Sequence, residues 1–207
     1  MTPYYEQEGI TIYHGDCREI LPLLEPVDCV LADPPYGLGD RMKGGTWGIT
    51  RTQQMTWDKT TCDDVVLRLP EIAPLTIIWG GNYYPLPPSR GWLAWCKPDS
   101  VATMGSIELA WTSKDMPAKH LIYSIAATNK ERNGHPTQKP LAVMKWCISF
   151  VPEARTILDP FAGSGTTLVA AKDLGRNAIG IEINESYCEI AVKRLAQSVF
   201  NFENTTL

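Results

Sequence analysis

Short apolar runs alternate along the chain with segments of helical periodicity, and this pattern predicts an α/β domain. Runs of strand length occur at 10–13, 28–32, 76–79, 93–96, 107–112, 120–123, 156–158 and 178–181. Helical patterns occur at 18–24, 63–72, 141–150, 166–174 and 185–197. Because helices separate most of the strands, the sheet should be mostly parallel. The strands at 93–96 and 107–112 have no helix between them and should form one antiparallel edge hairpin.

The composition indicates which class of protein this is. The 207 residues are 44% hydrophobic and 20% charged, which is typical of one globular domain with an ordinary core. The apolar runs are too short to cross a membrane and polar residues follow Met1, so we expect a cytoplasmic protein without a membrane partner. The six cysteines show no CxxC pair and no histidine at ligand spacing, so we expect reduced thiols and no metal site.

Charge is unevenly distributed. The net charge is −4, yet residues 112–145 contain six lysines and arginines against two acidic residues. Positive charge gathered in one segment is typical of a surface that faces phosphates, although a solvated face would give the same pattern.

A glycine-containing turn in the last third predicts a nucleoside site. In "TILDPFAGSGTTLVAAKDLGRNAIGIEIN" a strand ends at Asp159, and a turn with Gly163 and Gly165 leads into a helix. The next strand ends at Glu182, 19 residues after Gly163, which is the position expected for an acceptor of ribose hydroxyls. A P-loop is disfavoured because Thr166 replaces its lysine, and the third glycine of a dinucleotide fingerprint is absent.

The stretch "CVLADPPYGLG" at 29–39 contains the second set of chemical groups. A buried strand ends at Asp33 and continues into Pro34, Pro35 and Tyr36. The prolines fix φ and stiffen the turn, so a carboxylate and a flat ring are held in a defined relation.

Together these motifs resemble the amino-group DNA methyltransferases that depend on S-adenosylmethionine. The resemblance rests on "GDCREIL", "DPPY" and "HPTQKPL…ILDPFAGSGTT…IGIEIN", in the order of the permuted β group, and covers residues 10–40 and 135–197. It implies a Rossmann-like class I methyltransferase sheet of seven strands with helices on both faces. It also implies one methyltransferase domain over 1–207, with DNA-contact insertions around 37–60 and 112–134.

The resemblance also implies a reaction. Asp33 and the carbonyl of Pro34 would accept hydrogen bonds from the target amine, Pro35 would stiffen the turn, and Tyr36 would stack on a base flipped out of double-stranded DNA. Aspartate at position 33 favours the N6 amine of adenine. The N4 amine of cytosine and an inactive, DNA-binding methylase fold are the alternatives.

The implied cofactor contacts are spread over both motif regions. They are Asp16, Cys17, Asp33, Thr137, Lys139, Asp159, Phe161, Gly163, Ser164, Gly165, Thr166, Glu182 and Ile183. By the same resemblance, Trp79, Asn82 and Tyr83 are candidates for lining the pocket of the target base.

Little chain remains for reading DNA. The predicted contacts lie in the loop 37–59 and the basic segment 114–130, and are Lys43, Arg51, Lys114 and Lys119. So small a reader suggests a short recognition sequence or help from a second copy in a homodimer. A cognate restriction endonuclease is a further predicted partner.

Overall fold

One central sheet organises the molecule. A computed structural model describes residues 1–38, 60–101, 105–127 and 138–197. The strands are β1 Tyr5–Gln7, β2 Ile10–His14, β3 Cys29–Ala32, β4 Leu75–Trp79, β5 Trp92–Cys96, β6 Ile107–Thr112, β7 Lys119–Ile122, β8 Thr156–Asp159 and β9 Asn177–Glu182. The helices are α1 Cys17–Ile20, α2 Asp63–Val66, α3 Leu69–Ile72, α4 Leu141–Ile148, α5 Thr166–Asp173 and α6 Glu185–Gln197, with 3-10 turns at Leu21–Leu23 and Gly81–Tyr83.

The predicted mostly parallel sheet is confirmed, with a different strand count. Over the described ranges the strands follow the order β1-β2-β9-β8-β3-β4-β6-β5-β7, so there are nine strands where the resemblance implied seven. Strands β2, β9, β8, β3 and β4 are parallel neighbours. The short, polar strand β1, which has no apolar signal, pairs antiparallel with β2.

The antiparallel pair β5–β6 forms as predicted, but it does not lie at the edge. Strand β6 pairs with β4 on its other side, and β7 adds to β5 in parallel. The edge on this side is therefore β7. One predicted helix is also interrupted. The segment 63–72 divides into α2 and α3, with Pro70 in the first turn of α3, where its missing N–H is tolerated.

Helices cover both faces of the sheet because side chains alternate along the buried strands. In β3, Cys29 and Leu31 join the core formed with α4, α5 and α6. Val30 and Ala32 point the other way, into the core formed with α1, α2 and α3. All four are fully buried, which explains why this strand is a continuous apolar run.

The register places the ends of the parallel strands at one edge. His14 pairs with Glu182, and Asp159 pairs with Gly180. Beyond the end of β4, Gly80 N donates to Leu109 O at 2.8 Å, and Trp79 pairs with Ala110. The first three residues of β6 therefore overhang the carboxyl edge of the parallel strands. In the part of the chain that the structure describes, no helix has the length and apolar character needed to cross a membrane.

Candidate active site

A cavity of about 720 Å³ opens at the carboxyl edge of the parallel strands. The residues that line it come from the turns after β2, β3, β8 and β9, which is where ligands bind in open α/β sheets. The lining includes the predicted site residues Asp16, Cys17, Asp33, Pro34, Pro35, Tyr36, Lys139, Asp159, Phe161, Gly163, Ser164, Thr166, Glu182 and Ile183. The fold thus brings the two motif regions to one cavity. Gly165 lies in the same turn but is not part of the lining, and Thr137 lies outside the described residues.

The glycine turn has the backbone shape that only glycine adopts easily. Gly163 and Gly165 have φ of 51° and 78°. A Cβ on Gly165 would also stand 2.7 Å from the Cβ of Ala191, so the turn packs directly against α6. This packing holds the amino end of α5 at the cavity.

Glu182 ties the glycine turn to the end of β9. Its Oε2 accepts a hydrogen bond from Gly163 N at 2.8 Å, and its Oε1 accepts one from Asn184 N at 2.7 Å. Burial raises the pKa of Glu182, although these backbone donors act against the rise. Each carboxylate oxygen keeps a second lone pair, so Glu182 can still accept from a ligand in the cavity.

Asp159 is the most deeply buried acid of the cavity, with 2% of its surface exposed. Its Oδ1 accepts a hydrogen bond from Phe161 N at 3.0 Å, and Oδ2 bonds the hydroxyl of Thr167. Burial raises the pKa of Asp159 to about 7. Burial therefore favours the protonated form of this carboxyl group.

Arg194 supports the glycine turn from below, and sequence reasoning missed it. Its guanidinium donates to Ser164 O at 2.6 Å, to Ser164 Oγ at 3.1 Å and to Thr166 Oγ1 at 3.0 Å. An arginine in the last turn of a helix normally faces solvent, so nothing in the sequence marks this one. In the structure only 9% of its surface is exposed.

Asp16 and Cys17 form the opposite wall of the cavity. Asp16 caps α1 by accepting from Arg18 N at 2.9 Å, and Arg18 also pairs with Asp64 at 2.6 Å. Burial raises the pKa of the Cys17 thiol to about 12, so it is a packing group and not a nucleophile. No cluster of three or more potential metal ligands occurs among the residues that the structure describes.

Asp33 lies within a hydrogen-bonded group. Tyr36 OH donates to Asp33 Oδ1 at 2.6 Å, and Lys139 Nζ donates to the same oxygen at 2.7 Å and to Tyr36 OH at 3.0 Å. Burial, with Asp33 close by, raises the pKa of Tyr36 well above its ordinary value. Lys139 was predicted as a cofactor contact, and the structure also places it on the carboxylate expected to meet the target amine.

The ring of Tyr36 is held by its neighbours. Tyr83 stacks on it with ring centroids 5.1 Å apart and planes at 19°, and Tyr84 OH donates to the carbonyl of Pro35. Tyr83 is 46% exposed. Trp79 does not line the cavity, because it is fully buried in the core against α4.

The predicted DNA contacts are placed unequally. Lys43 and Arg51 lie outside the described residues. Lys114 lies at the amino end of the sheet, where its Nζ donates to Phe150 O at 2.6 Å and pairs with Glu153 at 3.3 Å, just before β8. This position is opposite the cavity and argues against Lys114 as a DNA contact.

Lys119 is better placed for DNA. Strand β7 begins at Lys119, which pairs with Leu93 of β5. Leu93 in turn pairs with Ala110 of β6, and Ala110 pairs with Trp79 at the end of β4. Lys119 is therefore level with the carboxyl end of β4, at the far edge of the sheet.

Comparison with known proteins now adds a family to this geometry. A family model described as DNA methylase matches residues 74–193, more than half of the chain. The chain belongs to the DNA methylase family. This DNA methylase is 30% identical to Putative methylase YubD of Escherichia coli K12, with 88% of each chain covered. It is 29% identical to Type II methyltransferase M2.LlaDCHI of Lactococcus lactis subsp. cremoris, with 93% of this chain and 91% of the relative covered.

Solved structures agree on the fold of the DNA methylase. The M1.HpyAVI–SAM complex matches with a TM-score of 0.60 at 24% identity, covering 90% of this chain and 98% of that one. PvuII DNA methyltransferase, described as cytosine-N4-specific, matches with a TM-score of 0.59 at 13% identity, covering 93% of this chain and 88% of that one. The family resemblance and the fold predicted from the motifs are confirmed.

Proposed function

We propose that this DNA methylase transfers a methyl group from S-adenosylmethionine to the exocyclic N6 amine of adenine in double-stranded DNA. The observation that carries the proposal is the single cavity into which both the Asp33–Tyr36 turn and the Gly163–Gly165 turn open. One turn offers acceptors for an amine, and the other has the features of a nucleoside site.

The chemistry of the cavity fits this cofactor. Glu182 offers acceptor lone pairs for ribose hydroxyls, Asp16 offers a carboxylate for the adenine amine, and Phe161 offers a ring for apolar packing. Gly163 and the buried acid Asp159 both line the cavity, and the methionine end of the cofactor would lie beside them. When bound, S-adenosylmethionine supplies a methyl group that its sulfonium already activates.

The protein's part is to make a poor nucleophile reactive. The N6 lone pair is delocalised into the adenine ring, so the amine must be held with that lone pair directed at the methyl carbon. Asp33 Oδ1 is taken by Tyr36 and Lys139, whereas the described residues give Oδ2 no hydrogen-bond donor. Oδ2 and the Pro34 carbonyl can therefore accept the two N6 hydrogens.

The reaction balances without a further co-reactant. The N6 lone pair forms the new C–N bond while the pair that bound the methyl carbon leaves with sulfur, and the surplus N6 proton passes to water. Positioning and local charge then supply most of the rate enhancement. The stacked pair Tyr36–Tyr83 offers a flat surface for a base taken out of the duplex.

The proposal for adenine over cytosine rests on Asp33, since relatives that act on cytosine more often have serine there. A homodimer and a cognate restriction endonuclease remain predictions, as does a cytoplasmic location. The same cavity chemistry would serve the N4 amine of cytosine, so the product must be identified directly.

The test is methylation with the purified protein. Plasmid DNA is incubated with methyl-labelled S-adenosylmethionine, digested to nucleosides and analysed by mass spectrometry. We expect N6-methyladenine, and we expect Asp33→Ala to abolish it while the dissociation constant of S-adenosylhomocysteine changes less than a few-fold. N4-methylcytosine would overturn the choice of base. Undiminished transfer by Asp33→Ala would overturn the role of Asp33.

A further inference from the structure

Four charged side chains, two buried lysines and two partly buried acids, form a line that ends at Asp33. Lys97 Nζ pairs with Glu108 Oε1, Glu108 Oε2 pairs with Lys139 Nζ at 3.1 Å, and Lys139 Nζ pairs with Asp33 Oδ1 at 2.7 Å. The side chains of the two lysines are only 5% and 7% exposed. Charges alternate along the line, so the group as a whole is neutral.

The overhang of β6 explains how the line reaches the cavity. Glu108 lies in the part of β6 that passes the end of β4, and it pairs across the hairpin with Trp95, two residues before Lys97. Neither Glu108 nor Lys97 belongs to a motif of the sequence analysis. Their place beside the site follows from strand register alone.

Nearby opposite charges outweigh the effect of burial on the pKa of Lys139 and on the pKa of Glu108. Burial alone would lower the pKa of Lys139, but Asp33 and Glu108 outweigh it and raise that pKa well above its ordinary value. Burial would raise the pKa of Glu108, but Lys139 and Lys97 outweigh it and lower that pKa. Buried ion pairs generally add little net stability compared with apolar side chains of similar size, so stability alone is a weak reason for this arrangement.

We propose that Glu108 and Lys97 are positioning residues for methyl transfer, which hold the Lys139 ammonium so that it fixes Asp33 Oδ1 and leaves Oδ2 directed at the target amine. Without Glu108, the Lys139 ammonium would lose one of its two carboxylate partners and would no longer be held on Asp33 Oδ1. This inference rests on the proposed function, because it assigns the line of charges to that reaction.

The first test needs no catalysis. Spectra of ¹⁵N-labelled lysine side chains in the cofactor-free protein should contain slowly exchanging ammonium signals from Lys97 and Lys139, assigned with Lys97→Met and Lys139→Met. Glu108→Gln should shift the Lys139 signal or abolish its slow exchange. A Lys139 signal that stays unchanged in Glu108→Gln would overturn the proposal, whether or not the protein methylates DNA.

The second test measures whether loss of Glu108 lowers kcat while leaving the binding of DNA and cofactor unchanged. We expect Glu108→Gln to lower kcat at least tenfold, while the KM for DNA and the dissociation constant of S-adenosylhomocysteine stay within threefold. The double variant Lys97→Met/Glu108→Gln keeps the line neutral, which protects folding, and it should be as slow as Glu108→Gln. A double variant with wild-type kcat would show that only charge balance matters and would overturn the proposal.

A control distinguishes failure of the positioning proposal from failure of the proposed function. Glu153→Gln removes an exposed glutamate that pairs with Lys114 at the other end of the sheet, and it should keep wild-type kcat. If the wild-type protein methylates no adenine, the proposed function fails, and the lysine spectra still decide whether Glu108 holds the Lys139 ammonium. If wild type is active and Glu108→Gln matches it, only the positioning role fails.

Discussion

Gly80 lies so close to Tyr36 that a Cβ on Gly80 would stand 2.1 Å from Cε1 of the tyrosine ring. The glycine also has φ of 64°, a conformation that disfavours other residues. The turn after β4 thus supports the ring of the Asp33–Tyr36 turn directly.

Replacing Gly80 by alanine should therefore displace Tyr36 and reduce methylation. We expect kcat to fall at least about tenfold, equivalent to about 1.4 kcal/mol of barrier. The dissociation constant of S-adenosylhomocysteine should change little. The matched control is Gly175→Ala, since Gly175 has a similar φ of 66° but nothing within 4 Å of the added Cβ. Equal activity of the two variants would mean that contact with Tyr36 has no functional weight.

Arg194→Met should weaken cofactor binding. Its guanidinium donates three hydrogen bonds to Ser164 and Thr166, which fix the glycine turn. We expect a loss of about 1–3 kcal/mol, typical of hydrogen bonds from a charged group. Calorimetry with S-adenosylhomocysteine measures it. Lys193→Met, one residue away and 75% exposed, is the control and should bind as wild type does. A folded Arg194→Met with undiminished affinity would remove Arg194 from the support of the site.

Asp159 should make stability depend on pH. Its pKa is raised from 3.8 to about 7 by burial, so the folded state binds a proton more tightly than the unfolded state does. Stability from this group is present at low pH and is lost as pH rises from about 4 to about 7. Asp159→Asn cannot ionise, so its free energy of unfolding relative to wild type should rise across that range and level off above it. Denaturant titrations at several pH values measure the difference, and a constant difference would contradict the prediction.

The salt dependence of DNA affinity should distinguish Lys114 from the other predicted DNA contacts. Each phosphate contact contributes about 0.9 to the slope of log affinity against log salt. Single substitutions of Lys43, Arg51 and Lys119 by methionine should lower the slope by about that amount. Lys114→Met should leave the slope unchanged, because its ammonium is bound to Phe150 O and Glu153 at the opposite end of the sheet. A lowered slope in Lys114→Met would place DNA on that end.

The sequence predicted those parts of the site that depend on short-range chemistry. The Asp33–Tyr36 and Gly163–Gly165 turns each follow an apolar strand, and parallel strands necessarily end at a shared edge. Glu108 and Arg194 could not be found in this way, because each reaches its partners through tertiary packing. Lys139 was identified, but its contact with Asp33 spans 106 positions of the chain, which no local pattern encodes.

The first three residues of β6 extend beyond the end of β4, so the site depends on one register of β6 against β4. In a strand, neighbouring side chains point to opposite faces, so a slip of one position turns every side chain over. A slip of β6 against β4 would turn Glu108 away from Lys139 while leaving all the sequence motifs intact. Insertions or deletions of one residue within Ile107–Thr112 should thus be poorly tolerated, even though this strand contains none of the motif residues on which the resemblance rests.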